Sequence, residues 1–157
     1  MPATFAQPVY SAVVEDQFID RMGHMNIKWY THFFQNAIWA FYDTIGFGPG
    51  YHERSGFGSF LLESHYVYLN ELRQDQPISI FLRVIARRNK VFHLMLCMQR
   101  DHDQALAATL ESIGIHIDLA TRKSTPMKPA MAQLWDATIQ KHQSLTWPFE
   151  IKTRLSI

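Results

Sequence analysis

The run Asp20-Arg21-Met22-Gly23-His24-Met25-Asn26 gathers a carboxylate, an imidazole and a carboxamide around one glycine. A carboxylate can act as a nucleophile or as a general base that activates water. The residues after this run predict a helix, so the three groups would stand at a helix N-terminus. Unpaired backbone N–H groups and the positive end of the helix dipole face whatever lodges there. A carbonyl placed there is polarised, and the oxyanion that develops on it is stabilised. Gly23, with no side chain, lets the backbone approach closely. Asn26 suits the N-cap and can also orient a water or a carbonyl. His24 can donate to the carbonyl or pack beside it. By residue type alone, Asp20 and Asn26 serve equally well as a turn residue and a cap.

Other residues carry weaker signals. Glu63 enters the apolar stretch Leu61-Leu62-Glu63-Ser64-His65-Tyr66-Val67-Tyr68. Burying it unpaired is costly, so it either serves a site or stands at a solvent-facing strand end. Tyr30 follows Asn26 by one helical turn and either lines a pocket or packs in the core. Arg87, Arg88 and Lys90 sit at a hairpin, where guanidinium and ammonium groups can grip phosphates or simply be solvated. The segment Thr121-Arg122-Lys123-Ser124-Thr125-Pro126 is a lesser candidate for the same task. No Gly-x-Ser-x-Gly elbow is present, and Gly46-Phe47-Gly48-Pro49-Gly50 follows a helix rather than a strand, which argues against a serine hydrolase and a phosphate-binding loop. The 8 His include no His-Glu-x-x-His, and no metal site is expected. Cys97, inside the run Val91 to Met98, reads as core.

The elements that must position these groups are legible. Residues 9–18 read as a first strand. Over 27–45, Tyr30, Phe33, Phe34, Ala37, Ile38, Phe41, Tyr42 and Ile45 recur at steps of three and four, which predicts a helix with a wide apolar stripe. Gly46 suits its C-terminal stop. A loop follows to Gly58. Segments 59–70, 77–87, 90–100 and 105–119 then read as long strands of an antiparallel meander, with turns at 73–76, 88–89 and 101–104. A second helix is expected at about 130–142, and the tail 143–157 is ambiguous. One helix against five strands packs simply when the sheet curls around it, leaving the other sheet face and the edge strands to a partner subunit.

Composition bounds the rest. A chain of 157 residues with 47% hydrophobic and 18% charged residues fits one globular domain, taken here as 1–157. Aromatics reach 13%, which suits an aromatic-rich core or an apolar pocket. A formal net charge of +1 gives no global field for nucleic acid or an anionic membrane. No apolar run reaches the roughly 20 residues of a membrane span. Neither a secretory signal nor a disulfide pair is visible, and a cytoplasmic location is expected.

The turn 20–26, followed by Trp29-Tyr30, resembles the signature of hotdog-fold acyl-CoA thioesterases of the 4-hydroxybenzoyl-CoA thioesterase type. The similarity covers about 8–128, leaving 129–157 as an extension. The resemblance implies an α+β hotdog fold: a curved, antiparallel five-stranded sheet wrapped around one long central helix, with an extra C-terminal helix and tail. It implies hydrolysis of an acyl-CoA without metal or redox cofactor, the coenzyme A moiety being part of the substrate, in a homodimer or a pair of dimers. By the same resemblance Asp20 is the nucleophile or general base, and the basic residues of the 87–90 hairpin grip coenzyme A phosphates. Glu63, His65 and Tyr68, with the Gly-His-Met-Asn turn, are similar to the betainyl-CoA thioesterase domains. That likeness would set Glu63 across the dimer, assisting Asp20 or meeting a cationic acyl group. Two other functions stay open: a hotdog hydratase or dehydratase, and a non-catalytic acyl-CoA or acyl-carrier binding module.

Overall fold

The computed structural model describes residues 5–150 and 152–157. In chain order the elements are β1 (Tyr10–Val13), α1 (Ile27–Thr44), α2 (Pro49–Ser55), β2 (Phe57–Tyr68), β3 (Pro77–Arg88), β4 (Val91–Arg100), β5 (Ala105–Asp118), β6 (Lys123–Ser124) and α3 (Pro129–Ser144). A 3-10 turn, Asp16–Phe18, separates β1 from the loop that enters α1. The strands form one antiparallel sheet in the order β1-β3-β4-β5-β2, with β6 also paired to β5. This is the α+β hotdog arrangement expected from the sequence.

The helix forms where the apolar period puts it. Tyr30, Phe33, Phe34, Ala37, Ile38, Phe41 and Tyr42 are all buried along one stripe of α1. They meet Ile78, Ile80, Leu82 and Val84 of β3, Phe92, Leu94, Leu96 and Met98 of β4, and Ala108 and Leu110 of β5 in one core. Burying a large apolar side chain contributes roughly 1.5–3 kcal/mol, so this stripe is what holds helix and sheet together. Gly46, with φ of 69°, follows the helix where a left-handed residue is needed.

Four details differ from the expectation. The first strand is short, because the backbone turns at Asp16 instead of continuing extended to 18. The stretch read as a loop contains α2, with Pro49 at its first position and Gly56 in the left-handed conformation at its end. The two-residue β6 makes the sheet six-stranded, by pairing Ile117 with Ser124 just beyond the point where β4 leaves β5. Within the single chain the outer sheet face is crossed by the protein's own tail, after α3: Trp147 packs under Arg83, Phe149 meets Phe81, and the backbone at Arg154 and Leu155 reaches Glu111.

α3 also belongs to the core. Trp135 is fully buried against Phe41, Phe47 and Phe92. At one edge of the sheet, β2 remains uncovered. From Phe60 to Ser64 every one of its residues is exposed, with Leu61 at 50% and Leu62 at 58%.

Candidate active site

The turn before α1 is closed by its own backbone. An isolated bridge joins Ile19 to Met25, the Asp20 N–H donates to the His24 carbonyl at 3.0 Å, and the Gly23 N–H donates to the Asp20 carbonyl at 3.0 Å. Closing so tight a loop needs Gly23 at φ 81°, a conformation that a side chain would oppose. Two further bonds fix the turn to the body of the protein: Met25 N–H to the Leu72 carbonyl at 2.7 Å, and Asn26 N–H to the Phe18 carbonyl at 2.9 Å.

Within this frame Asp20 and Asn26 come together. One Asp20 oxygen accepts the Met22 N–H at 2.8 Å, and the other lies 3.4 Å from the Asn26 amide nitrogen. The Asn26 side-chain oxygen accepts the Lys28 N–H at 3.1 Å, as an N-cap does. The Trp29 N–H goes to the Asn26 backbone carbonyl. Among the described residues the Ile27 N–H, at the first helical position, has no protein acceptor. The half-buried carboxylate is thereby tied, through one asparagine, to the positive end of a buried helix.

Beside this end lies a pocket of about 330 Å³, lined by His24, Met25, Ile27, Tyr30, Tyr68, Leu69, Asn70 and Glu71. Tyr30 and Tyr68 meet edge to face at 5.2 Å and form one wall. Burial is the largest influence on the Tyr30 phenol and raises it above its ordinary range, so it stays neutral. The His24 ring lies at the pocket, with Nδ1 3.3 Å from the Met25 carbonyl. Asp20 is not among the lining residues of this pocket within the single chain.

The remaining candidates lie elsewhere. Glu63 pairs with Ile113, on the same side of the sheet as Glu111, away from α1, and it is exposed. The single chain does not bring it to Asp20. Arg87 is held by a two-pronged contact with Asp136 of α3, at 2.7 and 2.6 Å, and so is occupied inside the fold. Lys90 donates to the Ser124 hydroxyl at 2.7 Å, while Arg88 is exposed. The hairpin pairs near Ile115 and Tyr68 pairs with Ala108, so the two lie about 20 Å apart along β5.

Sequence reasoning missed the most buried ionic group. Glu111, 2% exposed on the outer face of β5, accepts from His93 Nε2 at 2.7 Å and from the Arg154 and Leu155 N–H groups at 2.8 and 2.9 Å. Burial by itself would raise its carboxyl, but these donors outweigh that and hold it below its ordinary value. The signal was an acid inside an apolar strand, the same one that singled out Glu63. Cys97 is buried on that outer face, and burial pushes its thiol up to about 12. Among the described residues no group of three or more His, Cys, Asp or Glu is placed to hold a metal ion, and no helix is long and apolar enough to cross a membrane.

Comparison with known proteins adds names to this geometry. A family model described as the thioesterase-like superfamily matches residues 14–134. The betainyl-CoA thioesterase of Pseudomonas aeruginosa is 22% identical over 139 residues, which are 88% of this chain and 87% of that one. An L-carnitine dehydrogenase/betainyl-CoA thioesterase of Ruegeria pomeroyi is 30% identical over 141 residues, 86% of this chain but only 28% of that longer protein. Among solved structures, a Staphylococcus aureus protein in complex with CoA superposes with a TM-score of 0.85 at 25% identity, covering 100% of this chain and 99% of that one. The 1,4-dihydroxy-2-naphthoyl-CoA thioesterase of Synechocystis superposes with a TM-score of 0.72 at 15% identity, over 85% of this chain and 96% of the other.

Proposed function

The chain belongs to the thioesterase-like superfamily, and from that membership we propose that it is an acyl-coenzyme A thioesterase in which Asp20 acts on the thioester carbon at the N-terminus of α1. The observation that carries this reading is the link from the Asp20 carboxylate through Asn26 to the helix start. The carbonyl oxygen sits at that start, where the Ile27 N–H and the helix dipole favour the negative charge that develops on it. As general base, Asp20 takes a proton from a water whose oxygen bonds to the acyl carbon. As nucleophile, it bonds to that carbon itself and water releases the acid afterwards. On either route the carbon–sulfur bond breaks, and coenzyme A leaves as a thiolate that is then protonated.

The site is completed by a second copy of the chain. β2 offers an exposed edge of 12 residues, with Phe60, Leu61 and Leu62 all exposed. Such an edge invites pairing, and two-fold symmetry makes that pairing antiparallel. With the two-fold axis placed at the middle of β2, residues 57–61 of one chain run beside 64–68 of the other, and the hairpin end of one subunit comes to the Tyr68 pocket of its partner. Arg88 and Lys90 there are the proposed partners for coenzyme A phosphates, and the bond to Asp136 speaks for Arg87 as a structural residue. The outer face, occupied by the chain's own tail, favours a dimer over a pair of dimers.

Asp20→Asn lowers kcat for thiol release from an acyl-CoA by about 10²–10⁴-fold with an unchanged melting temperature and dimer. Full activity in that variant overturns the assignment. Coenzyme A binding without release of thiol from any thioester would favour a binding module, and a hydrated acyl-CoA as product would favour a hydratase.

A further inference from the structure

A second cavity lies away from the α1 N-terminus. It is a recess of about 100 Å³ between the middle of α1 and strands β2 and β5. Its origin is legible on β5, whose inward positions run Leu110, Ser112, Gly114, His116. Two small residues in succession leave a hollow opposite Ile38 and Tyr42 of α1. Phe92 closes one side, and it can do so only because residue 114 is glycine: a Cβ there would come 2.2 Å from the ring. No charged residue lines the recess.

One polar atom there stands out. Ser112 is 1% exposed, and its hydroxyl has no hydrogen-bond partner. The Tyr42 and Ser59 side chains, facing it from α1 and β2, also line the recess. A buried hydroxyl without a partner is unfavourable, so a ligand that supplies one is preferred over a ligand of the same shape that does not. The recess opens at the β2 edge by Trp39, Phe60 and Leu61, beside the bulge between Leu61 and Glu63. In the antiparallel pairing described above, that opening lies near the Tyr68 pocket of the other subunit.

We propose that this recess receives the far end of the acyl group, and that Ser112 selects acyl groups bearing a hydroxyl or carbonyl oxygen at that end. The proposal rests on the thioesterase reading. With about 30 Å³ per water-sized group, the recess holds roughly three or four non-hydrogen atoms. The substrate class is therefore an acyl thioester with a short, uncharged, oxygen-bearing terminus. A chain ending in a bare methyl leaves Ser112 unpaired, and a chain ending in a cation finds no carboxylate among the lining residues.

The test uses the full chain and pairs of acyl-CoAs of matched length, one ending in a hydroxyl and one in a methyl. The wild type turns over the hydroxyl-ended member with kcat/KM at least about tenfold higher at the length that reaches the recess. Ser112→Ala brings the pair to near equality while retaining turnover of the methyl-ended member. Should Ser112→Ala not fold, Ser112→Cys, nearly the same shape with a weaker donor, narrows the preference in the same direction. Turnover with no discrimination in the wild type, a preference that Ser112→Ala leaves unchanged, or a stronger preference for a trimethylammonium-ended acyl group each overturns the proposal and leaves the thioesterase reading intact. Binding of the matched free acids, followed by amide NMR shifts of Ser112 and Gly114, separates the two claims. Discrimination there without any thioester turnover sinks the thioesterase reading and keeps the recess.

Discussion

The two faces of the sheet are closed by different chemistry. The inner face meets α1 and Trp135 of α3 mainly through apolar contacts, ring on ring and ring on aliphatic chain. The outer face is closed by the tail, which is fastened at its far end by a single carboxylate. Glu111 is as buried as the core residues around it, yet three donors converge on it, two of them backbone N–H groups from the tail. Contacts on the inner face act through area and are not directional, so they tolerate small shifts. The outer face depends on a fixed geometry, in which losing one partner leaves a buried group unsatisfied. The difference explains why β3, β4 and β5 read as nearly continuous apolar runs, while β2, at the edge, exposes five consecutive residues. A strand covered on both faces has no polar side to show.

Three perturbations test this contrast. Trp135→Ala should cost about 3–5 kcal/mol in urea unfolding, because a fully buried indole leaves a cavity between α1, β4 and α3. A cost below about 1 kcal/mol would mean that α3 is an appendage rather than a wall of the core.

Glu111→Gln keeps the shape but removes the charge. It should cost about 2 kcal/mol and speed hydrogen exchange at the Arg154 and Leu155 amides, leaving exchange in α1 at its original rate. Equal acceleration on both faces would show that the tail is not held separately.

Acid is the mildest probe. The Val84 N–H donates to His142 Nδ1 at 3.0 Å, which requires the neutral ring. Burial, then the charges of Lys141 and Arg83, lower His142 from 6.5 to about 4. A depressed folded value means that its contribution is complete above pH 6.5 and is lost as pH falls toward 4. Glu111 is also depressed, so its share persists above its ordinary 4.5 and is lost only at lower pH, as its carboxylate is protonated. Thermal melts should decline in two steps, and His142→Gln should shrink the first, the remainder coming from His116, which burial also holds below its ordinary value. A single step in the wild type would contradict the assignment of separate groups.

The site was partly legible for the same physical reason. Asp20, Gly23 and Asn26 lie within seven residues, and a tight turn followed by a cap is a local structure that residue type and spacing specify. The expected cap is present, with Asn26 accepting from Lys28. Arg87 could not be judged that way, because Asp136, the group that occupies it, lies 49 residues away in sequence. Glu63 and Glu111 looked alike as acids in apolar strands. Register alone separates them: Glu63 is on the open edge strand, whereas Glu111 lies beneath the tail.

The sequence by itself determined the long helix, its capped and glycine-containing entry, and the four long strands with their turns. Each of these follows from a short-range period or from the conformational demand of a single residue. Tertiary structure alone decided the strand order, the closure of the outer face by the tail, and the hollow beneath Ser112 and Gly114. Those features arise where segments distant in the chain meet, and which residues meet is set by the mutual fit of surfaces that no local pattern encodes.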